Sequence, residues 1–130
     1  MKRREQALLL LAKAAQDESP LDAVMNIDTV ADEVFGFHCQ QAAEKMIKAL
    51  LSDVGTPFQK THNIAAPMET LAGAGMPLPE SFVELETFTP FGAVYRYEDL
   101  DSAFGIDRQR ARTTLRLLRA WVEKQLGTSR

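Results

Sequence analysis

Four polar residues recur along FHCQQAAEKMIKALL, residues 37 to 51, at steps of three, four and three: His38, Gln41, Lys45 and Lys48. At about 100° per residue they fall on one side of a helix. An imidazole, an amide and two ammonium groups on one face can grip a phosphate and exchange a proton. The same stripe can also be the solvated side of a core helix. A second set is Tyr95-Arg96-Tyr97. Here Arg96 can hold a phosphate and Tyr97 can stack on a base. Alternatively, Arg96 pairs with Glu98 or Asp99 and the tyrosines fill core. A third set, Arg108, Arg112, Arg116 and Arg119, lies within about 80° of arc on one helix. It is either a fixed array of forked donors for phosphates or a face paired with acids such as Glu84, Glu86 or Asp101. No aromatic residues are interleaved with it, as a single-strand binding platform requires.

Other chemistries find little support. Two histidines and one cysteine lack metal-ligand spacing, so no metal or other cofactor is expected. There is no glycine-rich phosphate loop and no serine nucleophile motif. Cys39 lies on an apolar helix face and reads as an inert core thiol. His62, before Asn63, reads as a capping or packing residue.

The elements that position these groups are all helical. Residues 3 to about 17 form a first helix, which Asp17-Glu18-Ser19-Pro20 breaks. Residues 19 to 29 are then a loop or a short turn of helix. Asp28 or Thr29 caps a second helix, from about Val30 to Ser52. Its core stripe is Phe35, Cys39, Ala42, Ala43, Met46, Ile47, Ala49 and Leu50. Phe37 stands away from that stripe, which suggests a second buried contact, most simply a partner subunit. A short third helix opens near Asn63 or Ile64 and ends around Gly73-Ala74-Gly75. A fourth runs from Glu80 or Ser81 to about Arg96, with Pro90 and Gly92 interrupting it. Asp107 caps the last, which Gly127 ends near Leu126. The expected fold is an all-α, up-and-down bundle of four to five helices, one domain over residues 1 to 130.

Composition sets the outer bounds. Fifteen Lys and Arg against eighteen Asp and Glu give a net charge of −3, which argues against a surface that binds nucleic acid throughout. One cysteine cannot form an internal disulfide, consistent with a reducing cytoplasm. The start, MKRREQALLLLAKAAQDE, is basic and then apolar. Glu5 and Gln6 precede the leucines and Lys13 follows them closely, so an amphipathic helix is expected, not an export signal. No run has the roughly 18 apolar residues of a membrane span.

The 37 to 51 stretch also resembles the second-helix motif of HEPN domains, F-H-x-Q-Q-A-A-E-K-x-x-K-A-L-L. Lys60-Thr61-His62-Asn63-Ile64 is similar to that family's K-T-H-D-L, and Tyr95-Arg96-Tyr97-Glu98-Asp99 to its A-R-Y-P-D. The resemblance spans roughly residues 3 to 126 and implies a helical bundle. It implies association with nucleotides or RNA, with Arg96, Tyr97, His38, Gln41, Lys45 and Lys48 around a cleft and Phe37 at a homodimer contact. It also implies a minimal nucleotidyltransferase as partner, in a toxin–antitoxin or accessory role. Ribonuclease members resemble one another in an Arg-x(4–6)-His motif. Here the positions after Arg96 hold Asp101, Ser102 and Ala103, and no Arg has a His five to seven residues later. A non-catalytic binding role is therefore expected. Two alternatives stay open: a metal-independent ribonuclease using a distant His38 or His62, and a pure protein-interaction module.

Overall fold

The computed structural model describes residues 2–58, 64–92 and 105–127. Among them the chain forms four α-helices and one 3₁₀ helix: α1 (Lys2–Ala23), α2 (Asp32–Val54), α3 (Ala65–Gly73), the 3₁₀ helix Glu80–Gly92, and α4 (Arg108–Leu126). The fold is an all-α bundle. Arg96, Tyr97, His62, Asn63 and Asp101 lie outside the described residues.

Helix α2 is the central element, against which α1, α3, α4 and the 3₁₀ helix all pack. Its composition allows this. Phe35, Cys39, Ala42, Ala43, Met46, Ile47, Ala49 and Leu50 are all buried, as the helical spacing predicts. The alanines let neighbouring backbones come close. Gly36 does the same for an aromatic ring, since a Cβ there would sit 2.4 Å from the Phe91 ring. Helix α1 runs antiparallel to α2, with Arg4 opposite Asp53 and Asp17 opposite His38. Gly55 closes α2 in the left-handed conformation, φ 76°.

Three sequence expectations are corrected. Helix α1 does not break at Pro20 but continues to Ala23. Proline removes one N–H, normally given to the carbonyl four residues earlier, and that residue, Gln16, is exposed to water. Leu21 beyond it is buried and extends the stripe Ala7, Leu11, Ala14. Helix α2 starts later than Asp28 or Thr29: the capping position is Ala31, with no side-chain cap, while Asp32 and Glu33 sit in the first turn. The fourth element is a 3₁₀ helix. Its apolar residues Phe82, Leu85, Phe88 and Phe91 recur every third position and are all buried. That spacing matches three residues per turn, which stacks them along one edge. At α4 expectation and structure agree. The Asp107 side chain accepts from the Arg110 amide, and Gly127 ends α4 at φ 75°. Ala111, Leu115, Leu118 and Val122 are buried.

The close contact at Gly36 gives a stability test. Gly36→Ala should destabilise the bundle by about 1–3 kcal/mol through overpacking against Phe91. Urea unfolding followed by circular dichroism would read this as a lower midpoint at unchanged slope.

Candidate functional site

The His38, Gln41, Lys45 and Lys48 stripe splits into two hydrogen-bonded groups. The first faces α1. His38 Nδ1 lies 3.0 Å from Asp17 Oδ1, and Lys45 Nζ donates to Asp17 Oδ2. Asp17 is largely buried, while His38 is about one-third exposed. The second group runs along α2. Lys48 Nζ donates to Glu44 Oε2 at 2.8 Å, and Gln40 Nε2 donates to Glu44 Oε1 at 2.7 Å. Gln41 Nε2 in turn donates to Gln40 Oε1 at 2.8 Å. Lys48 also sits over the Phe58 ring, 5.4 Å from its centroid. Glu44 and Lys48, four apart on the helix, form a buried pair, not a solvated one. Gln40, which the helical reading passed over, is fully buried. Phe37 is half-buried, with its ring edge-on to His38 at 5.5 Å.

Three of the α4 arginines, Arg112, Arg116 and Arg119, meet acids on α1 rather than the expected Glu84 or Glu86, and Arg108 meets Asp32 in the first turn of α2; the third expected acid, Asp101, lies outside the described residues. Arg112, a buried residue, places Nη1 3.0 Å from Glu18 Oε1 and Nε 2.8 Å from Asp22 Oδ1. Arg119 donates to Glu18 Oε2 from Nε at 2.9 Å and to the Leu11 carbonyl at 3.1 Å. Arg116 reaches Asp22 at 3.0 Å and remains exposed. Arg108 ties down the turn between α1 and α2. It donates to Asp32 and to the carbonyls of Val24, Ile27 and Val30, and stacks over Phe35 at 5.1 Å. Arg110, off the stripe, does pair with Glu84.

The electrostatics follow from these pairs. Hydrogen bonding from Arg112 holds the Asp22 carboxyl below the usual aspartate range, although burial opposes this. Burial works against the Arg112 charge, but its bonds to Asp22 and Glu18 outweigh that and raise its pKa. Burial pushes the Cys39 thiol up to about 12, so it stays protonated and inert at neutral pH, in line with its expected core role.

A cleft of about 300 Å³ opens elsewhere, between the 3₁₀ helix and the start of α4. Its floor includes Phe88, Phe91 and Ala111; its rim carries Glu84, Asp107 and Arg110. Two carboxylates against one guanidinium disfavour a phosphate there.

With this geometry in hand, comparison with protein families is informative. The family model for the HEPN domain matches residues 22–125. The chain belongs to the HEPN family. No curated protein and no solved structure matches it. No helix among the described residues is long and apolar enough to cross a membrane.

Sequence reasoning missed Asp17, Glu18 and Asp22, the acids that meet both cationic stripes of this HEPN domain. A usable signal was present. The buried α1 positions run Ala7, Leu11, Ala14, Glu18, Leu21, so an acid occupies a core register and needs a cationic partner. Glu18→Gln should therefore destabilise the protein by about 2–4 kcal/mol, because Arg112 and Arg119 lose their shared charge partner. Thermal unfolding of the two proteins would reveal a clear drop, and an unchanged midpoint would show that the seam is not a stabilising contact.

Proposed function

We propose that this HEPN domain is a non-catalytic, cytoplasmic homodimer that binds a nucleotide, a minimal nucleotidyltransferase partner, or both. The observation that carries the reading is the half-exposed His38, Gln41 and Lys45 face of α2. It lies beside Phe37, within the segment that bears the family's second-helix motif. Side chains able to contact a ligand are there held in place, His38 and Lys45 by Asp17 of α1 and Gln41 by Gln40 of the same helix, as a binding site requires. Arg96 and Tyr97 complete the proposed site by family resemblance. The non-catalytic part rests on the sequence after Arg96, where Asp101, Ser102 and Ala103 stand in place of an imidazole. The α4 arginines enter only as a secondary patch, since Glu18 and Asp22 of α1 and Asp32 of α2 neutralise most of their charge. A toxin–antitoxin or accessory role would follow from a nucleotidyltransferase encoded next to this chain.

Titration calorimetry with ribonucleotides tests the binding reading. The wild type should bind, and Arg96→Ala should weaken binding by about 10-fold or more, the loss of a charge-assisted hydrogen bond. Absence of heat with every ribonucleotide tried would refute it. Light scattering tests the dimer separately: the wild type should show the mass of two chains at micromolar concentration, and Phe37→Asp should show the mass of one.

A further inference from the structure

The cations of the α2 face are paired in a way that decides which part of a nucleotide it suits. Glu44 meets Lys48, and Asp17 meets His38 at Oδ1 and Lys45 at Oδ2. One carboxylate against one ammonium leaves this group without surplus charge when the imidazole is neutral. A dianionic phosphate would find no uncompensated cation among these three residues.

The hydrogen-bond directions say more. A carboxylate only accepts, so the proton of a neutral His38 must sit on Nδ1, facing Asp17. Nε2 is then a lone-pair acceptor. It has no hydrogen-bond partner among the described residues, and the ring is one-third exposed.

Gln41 is set by the same logic through a longer relay. Glu44 accepts from Lys48, so Gln40 must turn its NH₂ toward Glu44. The Gln40 carbonyl then faces Gln41, and Gln41 must offer its own NH₂ to it. This leaves Gln41 Oε1 as a second acceptor, with no partner among the described residues. The assignment follows from where the charges lie and not from telling oxygen from nitrogen. His38 and Gln41 are three apart on one helix face, so their Cβ atoms lie roughly 5–6 Å apart. Two acidic anchors thus leave two neighbouring neutral acceptors.

We infer that the His38–Gln41 pair is a subsite for two adjacent hydroxyl donors, the cis-diol of a ribose, and not for the phosphate. Phe37, edge-on to His38, adds apolar surface beside it. The inference rests on the nucleotide-binding reading above and assigns the sugar to α2. Phosphate contacts are left to cations outside this group.

The test compares, by calorimetry, a ribonucleotide with its 2′-deoxy and 3′-deoxy counterparts. The wild type should bind the ribonucleotide about 10-fold more tightly than either, one lost hydrogen bond each. His38→Phe, which keeps a ring beside Phe37, and Gln41→Leu should bring the ratio toward one. Equal wild-type affinity for ribo and deoxy forms would overturn the inference while leaving nucleotide binding intact. Binding of neither form would overturn both readings. Nitrogen NMR of the imidazole gives a check that needs no ligand. The His38 signals, recognised by their loss in His38→Phe, should be those of the Nδ1–H tautomer in neutral wild type. The Nε2–H tautomer would overturn the inference by itself.

Discussion

The carboxylates at the end of α1 hold the arrangement of this molecule together. Asp17, Glu18 and Asp22 lie within two turns of one helix, yet they meet cations from two different neighbours. Successive residues on a helix are turned by about 100°, so adjacent acids necessarily point in different directions. Asp17 turns toward α2 and takes His38 and Lys45. Glu18 and Asp22 turn toward α4 and take Arg112, Arg116 and Arg119. Apolar packing brings α1, α4 and the 3₁₀ helix onto α2, but long arginine side chains span the α1–α4 seam.

That design explains why the cationic stripes look more active in sequence than in structure. A row of four arginines suggests a phosphate array while its partners are unknown. The partners lie some 90 to 100 residues away in the chain, beyond the reach of any local pattern. Glu18 is nearly inaccessible and receives two guanidinium groups. A buried carboxylate without them would carry a heavy desolvation cost. The arginines are therefore committed to the fold, and only Arg116 presents most of its side chain to solvent.

The legible and the illegible parts of the chain divide along the same line. The core stripe of α2 could be read residue by residue, because it follows a short-range period and its neighbours all need it. The two ends of α4 were equally clear, since Asp107 and Gly127 act within four residues of themselves. The end of α1 was hidden because Pro20 is a strong local signal for a break. Burial of Glu18 and Leu21 outweighs one missing hydrogen bond on the wet side. The 3₁₀ helix was half visible: a helix opening at Glu80 or Ser81 was expected, but the repeat of three in Phe82, Leu85, Phe88 and Phe91 sets its type. For the site, the polar face of α2 was identified, but which of its atoms point outward depends on Asp17 and on the buried Gln40.

The same pairing shapes what the α2 face can recognise. A bare His, Gln and two Lys on one face would form a positive patch suited to any polyanion. Asp17 and Glu44 each cancel one lysine, and each also fixes the hydrogen-bond direction of a neighbouring neutral side chain. Charge, which acts at range and discriminates poorly, is replaced by oriented acceptors, which act at contact and tell one donor pattern from another. A face built this way gives little long-range steering to an acidic chain. Under the proposed reading, it favours selection by the shape and hydroxyl pattern of a small group.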